Sequence, residues 1–368
     1  MNLVNATKLV AGYTMATDKF GREWLVIVAK GTYDIPNHPD QEPVLHEEQV
    51  PLVMRDVFTG EPGYSAPLYE IDFAPRKLRC DVLFNGSCYA PGGNPTTNVP
   101  VGLRVASLAK SFNVVGNRVW KSGALTTRAS SPEPFTVMPI SYNNAYGGMN
   151  MPDEDPKAHQ WYPLNHAGVG YYPKAQGGKP LPNTESIGEA VSRSDGNYKP
   201  MAFGPVGRAW RQRIVWAGTY DQKWKDEVFP FLPEDFDERY FQSAPEDQQT
   251  DFLKGGEEVI LVNLTLQGRT AFKIPTMREP FDVLYNNGNT KRLAGAIDTI
   301  VLEPDLGRFT LSLRASFPLR RNLHEVCEVA VGRVLPQPVS EETADVMPKP
   351  HYKSLAHLVA ANRANGSR

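Results

Sequence analysis

Four acids of one short stretch, Asp221, Asp235, Asp237 and Asp247, are the side chains whose type and spacing come closest to chemistry. Paired carboxylates a few ångströms apart hydrolyse glycosides, one as acid and the other as base or nucleophile. Each of these acids also stands where a turn or cap would want it. Asp221 follows Gly218-Thr219-Tyr220, and Asp235 and Asp237 come just after Pro233. Capping is the reading their positions favour, which makes them framework rather than catalyst.

Other candidate chemistry is thinner. Ser107-Leu-Ala-Lys110 fits SxxK but falls in a strand-like run, where an offset of three puts the two side chains on opposite faces. His159, Trp161 and His166 share a loop with Asp153, Glu154 and Asp155, without HExxH, HxH or EF-hand spacing. A solvated acidic loop is expected there, and no metal. Gly92-Gly93-Asn94-Pro95 and Gly177-Gly178-Lys179-Pro180 read as turns, because proline follows where a phosphate-cradling helix should open. Cys80, Cys88 and Cys327 have no metal spacing and read as reduced thiols. No cofactor is implied.

The elements that must position these residues read as strands. Glu23 to Ile35 is an apolar, β-branched run, and Lys77 to Phe84 alternates, with Leu78, Cys80, Val82 and Phe84 on one face. Val99 to Trp120 suggests two strands turning at Val115-Gly116-Asn117. Further strands are expected over 257–266, 269–274, 296–302, 308–315 and 325–335. Between them, 201–249 is crowded with aromatics among Pro205, Pro230, Pro233 and Pro245. Those prolines forbid long regular elements, and the aromatics argue against disorder. One short helix fits, roughly Tyr220 to Val228, started by Asp221. The fold class expected is mainly β: two antiparallel sandwich-like layers or subdomains and a long ordered central segment. By character the chain divides into 1–140 (β-rich), 141–250 (aromatic, Pro- and Gly-rich), 251–335 (β-rich) and 336–368 (linker and short helix or tail).

A formal net charge of −2 across 368 residues argues against a phosphate-dominated nucleic-acid binder. The amino end lacks the basic start and apolar core of a signal peptide, and no window supplies a membrane span. A cytoplasmic protein is expected.

Several motifs occur together. They are Ser141-Tyr-Asn-Asn-Ala-Tyr-Gly-Gly148, Asn165-His-Ala-Gly-Val-Gly-Tyr171 and Leu181-Pro-Asn-Thr-Glu185. A larger block adds Gly204-Pro205, Trp210, Arg213, Ala217-Gly-Thr-Tyr-Asp221, Trp224, Asp235-Phe-Asp237, Tyr240-Phe241 and Ala244-Pro-Glu-Asp-Gln-Gln249. The combination resembles a bacterial family, long labelled a domain of unknown function, encoded beside type VI secretion spike, PAAR-tip and toxin genes. The resemblance implies a non-enzymatic adaptor or chaperone that loads an effector toxin, often PAAR-linked, onto the secretion spike. Many relatives carry Glu where this chain has Asn143. On that reading Tyr142, Tyr146, Trp210, Arg213, Tyr220, Trp224, Phe236, Tyr240 and Phe241 are candidate contacts with an effector toxin, a PAAR-tip protein or the spike protein. Gly147, Gly148, Gly218, Asp221, Asp235, Asp237, Asp247, Gln248 and Gln249 are its structural motif. Two rivals remain: a carbohydrate-active or carbohydrate-binding β-sandwich protein using the same aromatics with Asp235 and Asp237, and an immunity protein that blocks the toxin.

Overall fold

The computed structural model describes residues 1–122, 127–150, 159–173, 177–320 and 323–333, with 355, 357 and 359. The acidic triplet 153–155 and the linker 336–350 lie outside the described residues, as does most of the expected tail helix. The architecture is mainly β, with 40% strand, two short helices among the described residues and mostly antiparallel sheets, none closed into a barrel.

In chain order, the first strands of the three largest sheets are β1 (Asn2–Asn5), β2 (Val10–Thr17), β3 (Glu23–Asp34), β4 (Cys80–Phe84), β5 (Asn98–Val105) and β6 (Leu108–Val115). Next come β7 (Thr184–Glu185), β8 (Gln249–Thr250), β9 (Glu258–Val262) and β10 (Arg269–Lys273). The last are β11 (Phe281–Tyr285), β12 (Thr290–Leu293), β13 (Ala296–Glu303), β14 (Arg308–Pro318) and β15 (Val326–Val331). A six-stranded sheet runs β8-β4-β13-β14-β3-β2, a five-stranded sheet β7-β6-β5-β9-β10, and a four-stranded sheet β1-β15-β11-β12. Both larger sheets therefore draw on the first and last thirds of the chain.

One apolar cluster serves these sheets. Leu25 and Ile27 of β3, Phe309 and Leu311 of β14, and Val82 and Phe84 of β4 share it with Val101 and Leu103 of β5, Phe112 of β6 and Val259 and Leu261 of β9. Each such side chain, fully buried, contributes about 1.5–3 kcal/mol relative to exposure. The sequence runs that specify these strands are apolar and β-branched, as a buried sheet requires.

The structure corrects three local expectations. The β5–β6 hairpin turns at Ala106-Ser107, and Gly116 lies beyond it. Ala106 takes the left-handed conformation (φ 52°) without the glycine that usually signals it. Leu78 precedes β4 and is exposed, while all five residues of β4 are buried, Asp81 included. The 257–274 hairpin is joined not by a compact Gln267-Gly268 turn but by the loop from Asn263 to Gly268, closed by the Asn263 amide on the Gly268 carbonyl. Strands β1, β2, β11 and β12 carry weak signals and were not expected. No helix among the described residues is long and apolar enough to cross a membrane.

Candidate partner interface

The central segment is fastened to the six-stranded sheet by buried polar groups. Asp81 of β4 accepts hydrogen bonds from Lys77 Nζ (2.6 Å), Gln242 Nε2 (2.8 Å), the Ser243 amide (2.8 Å) and Ser243 Oγ (2.9 Å). Further along, Gln248 Nε2 donates to the carbonyls of Val82 and Phe203. Lys110 of β6 donates to Gln248 Oε1 (2.7 Å) and Asp247 (3.3 Å), and Asp247 also holds Lys199 at 2.7 Å. Gln249 donates to the Ala244 carbonyl (2.8 Å), closing the turn between them.

Lys110 has a titration consequence. Burial pushes its pKa down to about 8, against an upward pull from Asp247. Below that pH the folded protein carries the full cost of a buried ammonium. Between about pH 8 and about pH 10 the native lysine gives up its proton while the unfolded one keeps it, so this group's contribution to stability rises with pH. The buried thiols of Cys80 and Cys88, their pKa values raised by burial, act in the opposite sense. The readout is therefore the difference between the parent chain and Lys110→Met in urea unfolding. That difference should grow in the parent's favour across the window, by at most about 1.4 kcal/mol per pH unit. A difference flat in pH would refute the depressed pKa.

The first motif is structural glue. Tyr142 and Tyr146 are buried, and Tyr146 Oη donates to the carbonyls of Ser194 and Gly196. Gly147 and Gly148 adopt positive φ (153° and 120°), and a Cβ on Gly147 would lie 2.2 Å from the Asn165 carbonyl oxygen. That close approach makes glycine at 147 a requirement of the contact with the Asn165 segment. Buried Asn165 donates to the carbonyls of Tyr142 (2.8 Å) and Tyr146 (3.2 Å). Asn143 bridges outward, accepting from the Ala66 amide and donating to Thr59 Oγ1, each at 2.8 Å.

The larger block folds around two single-turn helices, α1 (Arg211–Ile214) and α2 (Gln222–Glu227). Trp210 is 5% exposed and meets Tyr142 edge-to-face at 5.1 Å. Arg213, 3% exposed, binds Glu70 (2.6 Å) and the carbonyls of Tyr240 (2.7 Å) and Val206 (3.1 Å). Phe236 is buried against half-buried Tyr240 and Phe241. Tyr142, Tyr146, Trp210, Arg213 and Phe236, expected as contacts, thus face the interior. They offer a partner no surface.

The acids cap and close loops. Asp221 accepts from the Trp224 amide (2.8 Å) at the start of α2. Asp235 accepts from the Thr219 amide and hydroxyl (2.9 and 2.7 Å), folding the chain tightly over Gly218, and Asp237 caps the 3₁₀ turn Glu238–Phe241 while pairing with Arg239. The Arg239 guanidinium lies 3.3 Å from the ring centre of Trp216.

Among charged and polar residues this frame also presents large apolar side chains to solvent. Tyr220 (53% exposed) packs edge-to-face on half-buried Trp224 at 4.7 Å, and Phe229 (58% exposed) also meets Trp224 edge-to-face, at 5.6 Å. Ile214 and Val215 at the end of α1 are also more than half exposed. Phe20 is exposed nearby: Lys19 Nζ donates to the Glu234 carbonyl, and Gly21 sits against the Phe231 ring. Tyr220 and Trp224 were expected in a contact surface. Phe20, Ile214, Val215 and Phe229 were not, and the only signal for them was large apolar type in a segment with no regular periodicity.

The arrangement can do little acid–base chemistry. Hydrogen bonds from Thr219 hold the Asp235 carboxyl below its ordinary value, and those from Arg239 do the same for Asp237, which favours the ionised form of both. Ser107 lies in the hairpin turn near Thr250 while Lys110 binds Gln248, so they do not act together. Burial lowers the pKa of His166, which lies between the rings of Trp161 and Trp210. Among the described residues no group of three or more His, Cys, Asp or Glu side chains could hold a metal ion. A cavity of about 140 Å³ under residues 50–72 is lined by Lys30, Lys77, Arg308 and Arg314, each ion-paired with a carboxylate.

Residues 20–314 match the model of a family described as "Uncharacterized protein conserved in bacteria (DUF2169)". Neither the curated proteins nor the solved structures yield a match.

Proposed function

We propose that this chain, which belongs to the DUF2169 family, is a non-enzymatic adaptor that binds an effector toxin or PAAR-tip protein and promotes its loading onto the type VI secretion spike. The observation that carries the reading is the solvent-facing cluster of Tyr220, Trp224 and Phe229. Aromatic side chains held on an ordered frame lose little entropy on binding and are typical interface anchors. Lys223, Lys225, Asp226 and Glu227 give that cluster a mixed polar rim, as an interface requires. The motif resemblance adds the secretion context.

The test uses toxin and PAAR-tip proteins encoded in the same genome as this chain. The parent should bind one of them and leave its activity intact. Tyr220→Ser combined with Phe229→Ser should weaken binding by roughly 30-fold or more without changing the unfolding midpoint. Binding that ignores this double variant would overturn the interface. A chain that silences the toxin would be an immunity protein. Retention on a polysaccharide that Trp224→Ala abolishes would point to the carbohydrate reading instead.

A further inference from the structure

Strand β2 is the outer strand of the six-stranded sheet. Its eight residues, Val10 to Thr17, contain no charge and no proline. In an antiparallel pair every second residue turns its N–H and C=O away from its neighbour. Among the described residues no backbone hydrogen bond reaches β2 from the side opposite β3. Other edges of the large sheets are guarded or short. Strand β12 carries Lys291 and Arg292, β10 begins with Arg269 and ends with Lys273, β7 and β8 have two residues each, and β1, though uncharged, has four. A long, uncharged edge is a template for another strand.

We propose that β2 pairs with β2 of a second copy of this chain, antiparallel across a two-fold axis, joining their six-stranded sheets into one. The charges flanking the strand favour this occupant. Lys8 precedes β2 and Asp18 follows it, and neither makes an ion pair with a described side chain. The Asp18 carboxylate accepts from the amides of Phe20 and Arg22 and the Trp24 indole, with no cation against it. A register with Tyr13 facing its own copy brings the bend that carries Lys8 of each chain, just before the strand, alongside Asp18 of the other, just after it. The same register pairs Ala11 with Met15 and Val10 with Ala16, keeping like faces together. It is self-complementary, as a two-fold interface must be. The edge lies before the residues that match the family model, and the proposal does not rest on the proposed function.

A single ribbon contact is small, so a weak dimer is expected, with a dissociation constant on the order of micromolar. Sedimentation velocity of the full chain over a wide concentration range should show reversible dimerisation. Met15→Lys alters a side chain that is 45% exposed, so folding should survive, and it should remove the dimer. Lys8→Glu sets two acids alongside each other at both ends and should weaken association several-fold. Circular dichroism identifies a variant that has merely unfolded. A parent that stays monomeric throughout, or a dimer indifferent to Met15→Lys, overturns the proposal. A dimer unmoved by Lys8→Glu overturns the register and the proposal with it. Amide-exchange protection of the outward-facing amides of Val10–Thr17, those not bonded to β3, at concentrations too low for association would place this chain's own residues on the edge, which also overturns it.

Discussion

Replacing Asp81 with alanine is expected to lower folding stability by about 3–5 kcal/mol, read as a fall in the urea midpoint. The side chain is fully buried on β4 and satisfies four donors at once, two of them from Ser243 and one from Gln242. Lys77 is the costly orphan. Burial pushes its pKa down, but Asp81 and Asp298 outweigh that and hold it above its ordinary value, so the buried ammonium stays charged. Without Asp81 it would keep Thr299 Oγ1 as a direct partner at 2.9 Å, with no carboxylate bonded to it. Asp81→Asn should be nearly as damaging, since it keeps the shape and removes the charge. Asp81→Leu with Lys77→Met should recover only the share of the loss that Lys77 carries, because the buried donors of Gln242 and Ser243 still lose their acceptor. A loss under about 1 kcal/mol in Asp81→Ala would mean that the central segment is held by its apolar contacts alone.

Asp81 also shows where the sequence stopped being legible. The alternation in Lys77–Phe84 implied an apolar row facing the core and a polar row facing solvent. The apolar row is where it was expected from Cys80 onward. Of the polar row, Arg79 is exposed, but Asp81 is covered by Gln242 and Ser243, more than 160 residues further along the chain, and period-two alternation cannot reveal what covers a sheet from so far away. The capping acids were readable because a cap is local: Asp221 and the amide it binds are three residues apart. The aromatics were only half readable. Trp210 and Tyr220 lie in the same proline-rich stretch, yet one is 5% exposed and the other 53%. With no periodicity to assign a face, composition predicted an ordered aromatic segment and could not say which rings point outward. Strand β2 escaped notice because Val10–Thr17 mixes small, polar and apolar residues and looks like loop until β3 is beside it.

Arg213→Met should cost about 3 kcal/mol or more and reduce partner binding at the same time. Helix α1 is a single turn without a side-chain cap, too short to hold itself. Arg213 fixes it instead, gathering the carbonyls of Val206 and Tyr240 and the Glu70 carboxylate from three separate segments. Its guanidinium also stands 5.4 Å from the Tyr240 ring centre. Arg208 reaches Glu70 as well (2.7 Å), so that carboxylate is not left bare, and this limits the cost to the lower end of a broken buried pair. The carbonyls have no such reserve. Ile214 and Val215 ride directly on this turn, and the Trp216 and Ala217 amides bond back to it, so loosening it should disturb the chain that leads to Tyr220 and Trp224. Arg213→Lys is the sharper probe, because one ammonium cannot reproduce a planar fork aimed at three acceptors; it should fall between the parent and Arg213→Met in stability. Set beside Tyr220→Ser with Phe229→Ser, the pattern separates frame from contact. The serine variant should lose binding at constant stability, whereas the Arg213 variants should lose both together. Full partner affinity in a destabilised Arg213→Met chain would mean that the turn after Trp210 plays no part in presenting the interface.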